Sequence, residues 1–281
     1  MNFAPVTVLS DLVDLVVVLG KERELPAVRS LHTPDATASA GQSKKFGVVV
    51  LDDGSCGFFF AGLDDTLSHL RVCDPREFKG AATLDLVRNC LSTDPLARAV
   101  GLGALNALSQ HLLRISGFKL DRASDPLGHL DLPSARHVGM VGFFAPLIKV
   151  WAGNPGTLTI IEKDPQFLGQ SIPFPVTTQT DRLRDCDRVL ITGSTLINDT
   201  LDDVLSHCDP AAQVALVGPS ASCLPDPIFE RGVDDVGSTA VSDLAQLMTL
   251  LKTGQPWRMG TTKYCITRNQ YPGIGKLIPS S

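Results

Sequence analysis

No cluster of lysine and arginine and no interleaved aromatic stripe occurs in the chain, whose formal net charge is −5. Proteins that grip nucleic acid carry a basic face against the phosphates, so no nucleic-acid partner is expected. The apolar runs are broken well short of the ~20 residues that cross a bilayer, so no membrane span is expected either. Asp11 and Asp14 stand before any long apolar run and no basic leader precedes them, which excludes a signal peptide and makes the cytoplasm the expected compartment. The cysteines, seven in number (Cys56, Cys73, Cys90, Cys186, Cys208, Cys223 and Cys265), never form a CxxC pair. An odd, dispersed set is no disulfide framework, so thiols are expected, most of them as small buried side chains. Nucleophilic catalysis lacks its signature as well. Ser194 and Ser220 follow strand-like runs, yet neither stands in GxSxG and no histidine has an obvious place as a base. His137 and the His207–Cys208 pair have no second ligand at metal-site spacing. Repeats and low-complexity segments are absent too.

With 43% hydrophobic and 20% charged residues, a chain of 281 residues can bury a sizeable core, as two modest domains or one large one. Val6 to Leu19 reads as a helix with Asp11 and Asp14 on its polar side. Lys44 to Leu51 and Cys56 to Ala61 are apolar runs separated by Asp52-Asp53-Gly54-Ser55, a hairpin signal. Ala81 to Cys90 and Asp94 to Ile115 are helical, the second apolar on so many sides that it must be buried. Gly101-Leu102-Gly103 lies inside that helix with no strand before it, so close packing explains it better than a phosphate loop. Asn106 is a buried amide that either bonds within the core or faces a ligand.

Asp121 to Ala135 mixes Pro, Gly, Ser and Asp without periodicity and reads as a linker. Beyond it, His137–Val141, Thr157–Ile161, Arg188–Thr192, Gln213–Val217 and Val233–Val236 are strand-like runs alternating with helical ones, with Ser242–Lys252 helical and a last strand at Tyr264 to Thr267. That alternation predicts a parallel sheet covered on both faces. The stretch organising this half is RHVGMVGFFAP, Arg136 to Pro146. A buried strand, a turn at Gly139 and Gly142, an apolar crossover from Phe143, a second strand and then Glu162 open a nucleotide-type βαβ unit. Glycine leaves room for a tight turn or a close ligand, and Glu162 stands where such folds place a carboxylate for a ribose. The match is incomplete, because GxxG is not GxGxxG.

Parallel sheets bind ligands outside the carboxyl ends of their strands. Three strand ends here are unusual: Gly139 to Pro146, then Gly193-Ser194-Thr195-Leu196-Ile197-Asn198, then Gly218-Pro219-Ser220. Small hydroxyls beside exposed backbone N–H groups suit a carboxylate, a phosphate or another anion. Each loop alone is also plain turn chemistry, and Thr200 with Asp203 fits a capping box. Three such loops on one sheet edge favour a pocket, since capping does not require them to converge.

At these loops a family becomes recognisable. GSTLINDTLDDVL and VGPSASCLPDPIFERGVDDVGSTAV, together with VGMVGFFAPL and DPLARAVGLGALNALS, resemble the DUF364 family of putative heavy-metal chelation proteins, with a DUF4213-like N-terminal part. The resemblance implies an α/β architecture, a small enolase-N-terminal-like α+β domain preceding a Rossmann-like one, and metal or metal-chelate handling. It also implies a ligand set of Asn106, Gly139, Gly142, Phe143, Glu162, Gly193, Ser194, Thr195, Asn198, Gly218, Pro219 and Ser220. These are mostly hard oxygen donors and backbone amides, which suit a ligand that carries the metal better than a bare transition metal.

The expected layout is an α+β domain over residues 1–120, a linker over 121–135 and a Rossmann-like domain over 136–281, with the cleft between the domains. The expected role is to bind or handle a small anionic or metal-chelating metabolite. The alternatives are an enzyme, a transferase or lyase with a nucleotide-type cofactor such as S-adenosylmethionine or NAD, and an assembly protein with a vestigial cleft. A small-molecule ligand is the expected partner, and a homo-oligomer is compatible with the chain.

Overall fold

The computed structural model describes residues 6–34, 45–122, 130–151, 153–154, 156–168, 172–253 and 255–279. Of the expected linker, residues 123–129 lie outside that set. The strands form a three-stranded antiparallel sheet of order β1-β2-β3 (Val28–His32, Phe46–Leu51, Cys56–Phe60) and a separate seven-stranded sheet.

The hairpin between β2 and β3 forms where the sequence placed it. Gly54 adopts a left-handed φ of 87°, and the Leu51 N–H donates to the Ser55 carbonyl at 2.9 Å to close the turn. Both strands are apolar almost throughout because both faces are covered. Val49, Leu51 and Phe59 join the core under the helices, while Val48, Val50, Cys56 and Phe58 pack against Leu247 and Trp257 from the far end of the chain. A doubly covered sheet has no polar face, so alternation is lost. Strand β1 escaped the sequence reading because it is short and half-exposed, with a bulge between Val28 and Ser30.

Four helices accompany this sheet: α1 (Val8–Lys21), α2 (Thr66–Val72), α3 (Thr83–Arg88) and α4 (Pro95–Ile115). Asp94 caps α4 by accepting from the Ala97 N–H at 2.7 Å, and Pro95 occupies the first turn, where its missing N–H costs nothing. A Cβ placed at Gly57 would lie 2.0 Å from the Gly103 carbonyl oxygen and 2.2 Å from the Ala107 nitrogen. Helix α4 therefore rests on the backbone of β3, and glycine is what lets it approach. The Gly101 and Gly103 pair is packing of the same kind, against Cys90 and Phe59.

The large sheet contains β4 (His137–Val141), β5 (Thr157–Ile161), β6 (Val176–Thr177), β7 (Arg188–Thr192), β8 (Gln213–Val217), β9 (Asp235–Val241) and β10 (Thr261–Thr267). Its order is β10-β9-β8-β7-β4-β5-β6, and all pairs are parallel except β9 with β10. From β4 the chain winds outward to β6, then returns to the other side of β4 and winds outward again. That is the doubly wound, Rossmann-like order, and its switch point lies between β4 and β7. The all-parallel expectation needs correcting at one edge, where β10 runs antiparallel to a β9 longer than the sequence suggested. Helices α5 (Ala145–Trp151), α6 (Ser194–Ile197), α7 (Leu201–Ser206), α8 (Asp226–Glu230), α9 (Leu244–Lys252) and α10 (Ile274–Leu277) complete the chain. Met140, Ile160 and Leu190 face a core that includes Trp151, whereas Val141, Ile161 and Ile191 share one continuous core with α1 and α4.

The two sheets are thus joined through a common core, and polar clamps fix how they meet. Asn106 Nδ2 donates to the Phe58 carbonyl at 2.8 Å and the Ser220 carbonyl at 2.9 Å, and Ser220 Oγ accepts from the Phe60 N–H at 3.0 Å. Arg231, following α8, pairs with Asp11 of α1 at 2.6 Å and Asp202 of α7 at 3.3 Å, while Asp202 also accepts from the Val8 N–H at 2.8 Å. Among the described residues, no helix is long and apolar enough to cross a membrane.

Candidate functional site

The carboxyl edge of the parallel strands gathers three glycine turns. Gly142, at a φ of 95°, ends β4, and its N–H donates to the Ile161 carbonyl at 2.9 Å. A Cβ there would meet Thr192 Cγ2 at 2.9 Å, so glycine brings the end of β4 against the end of β7 at the switch point. Gly193 follows Thr192 and donates to the Val217 carbonyl at 2.8 Å, and its own absent Cβ leaves room for Ala221. Gly218, at a φ of 119°, ends β8 and starts the 3-10 turn Pro219–Ala221.

The expected ligand residues separate into three groups. Gly139 lies within β4, and its lack of a side chain admits Leu183 and Cys186, so it is a packing glycine and no part of the loop. Asn106 and Ser220 are fully or nearly fully buried and engaged in the joint between the sheets, and Thr195 donates its hydroxyl back to the Thr192 carbonyl at 2.7 Å. The turn that holds Pro219 packs into the same joint. The remaining residues stay at the edge. Phe143 stacks on Phe167 with centroids 4.4 Å apart, and Glu162 directly follows β5. Glu162 Oε1 accepts from the N–H groups of Lys163 and Asp164 at 2.7 and 2.9 Å, which holds the carboxylate in its own turn. Ser194 is half-buried beside Thr192, and Asn198 half-buried at the end of α6.

The capping box expected at Thr200 and Asp203 does not form. Asp199 takes a left-handed φ of 53°, and Thr200 enters α7 without the extended backbone that a capping side chain needs. The Thr200 hydroxyl instead donates to Asn198 Oδ1 at 2.7 Å. That bond fixes the amide and leaves Asn198 Nδ2 as its free donor.

Asn198 opens onto a cleft of about 140 Å³ between α6 and the starts of α2 and α4, lined by Asp64, Thr66, Thr93, Pro95, Arg98 and Ile197 besides. The loop before α2 and the start of α4 form one wall, and α6 forms the other. Sequence reasoning found Asn198 and missed the opposite wall. The available signal was Arg98, a cation one turn into a helix otherwise apolar on most sides. Asp64, which lines this cleft, and Asp199, which follows Asn198, are the non-glycine residues with left-handed φ among the described residues, at 47° and 53°. A second groove of about 250 Å³ lies at the amino ends of β8 and β9, lined by Gln213, Asp234, Asp235 and residues 267–270. Although larger, it is on the wrong edge for a parallel sheet, and its Arg268 is already paired with Asp234 at 2.5 Å.

The donor set does not fit a soft metal held directly. Among the described residues, no three His, Cys, Asp or Glu side chains come together in a way that could hold an ion. Burial pushes the thiols of Cys56, Cys186 and Cys223 up to about 12 and that of Cys208 to about 11. Neutral buried thiols are poor ligands and poor nucleophiles.

The DUF364 family model, described as "Putative heavy-metal chelation", matches residues 125–269, and the DUF4213 model, described in the same words, matches residues 43–109. An uncharacterized protein of Methanocaldococcus jannaschii is 29% identical over 162 residues, 57% of this chain, and the matched part spans 61% of that relative's length. Two crystal structures of DUF364 proteins of unknown function, from Pyrococcus horikoshii and Desulfitobacterium hafniense DCB-2, each give a TM-score of 0.69 over 92% of this chain. They cover 99% and 98% of those proteins at 18% and 20% identity, which shows a shared fold.

Proposed function

The chain belongs to the DUF364 family, and from that premise we propose that it binds a small anionic or metal-chelating metabolite in the cleft between α6 and the starts of α2 and α4. One observation carries the reading: Arg98 from the start of α4 and Asn198 from the end of α6 line one cleft. Guanidinium, amide and hydroxyl groups recognise carboxylate or phosphate oxygens. The family description names a heavy metal, and the side chains of the described residues favour a metal that arrives on an organic ligand over one bound bare. The units at 1–120 and 136–281 supply the two walls in this reading. Native mass spectrometry of the purified protein tests it. A retained organic molecule, with or without metal, is expected. A stoichiometric bare metal without an organic component would overturn it.

A nucleotide-type cofactor such as S-adenosylmethionine or NAD is the second reading. It is favoured by the switch point, with Gly142 ending the first strand and Glu162 the second. Against it, Glu162 already spends one oxygen on its own turn. A nucleotide that raises the melting temperature of the wild type, but not of Glu162→Gln, would favour this reading over the first.

A further inference from the structure

Arg98 and Asp64 face the same small cleft with opposite charges and without pairing to each other. The Arg98 Nε donates to the Ser92 carbonyl at 2.8 Å, which fixes the plane of the guanidinium and leaves both Nη groups as donors. The side chain is half-buried, and no carboxylate among the described residues pairs with it. A cation drawn partly out of water without a counter-ion is costly unless something else supplies the negative charge. Asp64, which is exposed at the rim with a left-handed backbone, has no hydrogen-bond or ion-pair partner among the described residues. Opposite Arg98, Asn198 presents the Nδ2 donor that Thr200 orients.

Resting on the metabolite-binding reading above, we infer that the cleft takes a compact amino-carboxylate: Arg98 and Asn198 hold its carboxylate, and Asp64 faces its positive centre. That centre is either a protonated amine or the metal ion that the amine and carboxylates chelate, and both place positive charge beside negative. The size agrees. At the ~30 Å³ that each water takes in the liquid, the cleft of about 140 Å³ holds roughly five waters, room for a small dicarboxylate. Thr66, buried at the base, and Thr93 at the rim offer hydroxyls for the remaining oxygens.

Two isosteric probes isolate the positive centre. Iminodiacetate and glutarate carry the same two carboxylates and differ in one position, an ammonium in the first and a methylene in the second. Calorimetry on the full chain should show iminodiacetate, or its nickel complex, binding about tenfold more tightly than glutarate. The nickel complex binding better than free iminodiacetate identifies the positive centre as a metal, and the reverse identifies it as an amine. Asp64→Asn should erase the preference and keep glutarate binding. Arg98→Met should weaken all three probes about tenfold or more. Asn198→Asp, which keeps the size and adds repulsion, should do the same if loss of the Ser92 contact disturbs Arg98→Met. Equal binding of iminodiacetate and glutarate would overturn the amino-carboxylate and leave an anion site standing. Binding that neither Arg98→Met nor Asn198→Asp weakens, or no binding of any probe, overturns the inference. In those cases, an organic molecule retained in native mass spectrometry still supports the broader function.

Discussion

The two ends of α4 carry the same side-chain types in opposite states. At the C-terminal end, His111 Nδ1 lies 2.7 Å from Asp53 Oδ2, Arg114 pairs with the same carboxylate, and Ser55 donates to it from its hydroxyl at 2.9 Å and its N–H at 3.0 Å. Burial alone would push the Asp53 carboxyl up, but hydrogen bonds from His111, Ser55 and Arg114 outweigh it and hold it at about 2. At the N-terminal end, Arg98 and Asp64 share a cleft, and among the described residues neither has an ion-pair partner. The paired end locks the hairpin turn onto the helix. The unpaired end leaves charge available to a ligand. An arginine and an aspartate in a sequence are therefore uninformative until the fold says whether they meet.

Mutations can sharpen this contrast. The largest effect is expected where α4 is seated, since both ends depend on it. Gly57→Ala drives a methyl group into the backbone of Gly103 and Ala107, and a loss of about 3–5 kcal/mol, or failure to fold, should appear in urea unfolding. Asn106→Ala, midway along the helix, strands the buried Phe58 and Ser220 carbonyls and should cost about 2–3 kcal/mol in the same assay.

The paired end comes next. Asp53→Asn should lower stability by about 1–2 kcal/mol at neutral pH, reduced by screening because the side chain is one-fifth exposed. The pH dependence has a defined sign. The folded value of about 2 lies below the ordinary 3.8, so the stabilisation is full above 3.8 and is lost as pH falls through about 2. Wild type and Asp53→Asn should therefore converge in stability across that window. A gap that persists at pH 2 would assign the loss to packing. The smallest stability effect is expected at the unpaired end, where Asp64→Asn should stay within ~0.5 kcal/mol of wild type.

Much of the fold was legible in the sequence. Strands β4, β5, β7 and β8 coincide residue for residue with their apolar runs, because central parallel strands buried on both faces have no polar alternation to blur their ends. Strand β6, two residues long, and the half-exposed β1 carry too little apolar signal to stand out. The glycine turns at Gly142, Gly193 and Gly218 were legible because a backbone demand selects the residue. Gly139 shows the limit, since a packing glycine and a turn glycine look alike in sequence. Asn106 drew attention as a polar residue in apolar surroundings and Ser220 as a hydroxyl in a strand-end loop, and the fold engages both in joining the sheets. Arg98 and Asp64 escaped because their lack of an ion-pair partner among the described residues is a property of the tertiary structure.

The central claim is that the unpaired end of α4 is a ligand site. It is tested most directly by purifying wild type and Arg98→Met side by side and comparing their native mass spectra, with urea unfolding to show that both are folded. The account predicts an organic adduct on the wild type that is absent from Arg98→Met, at closely similar stability. Identical spectra from the two folded proteins would contradict it.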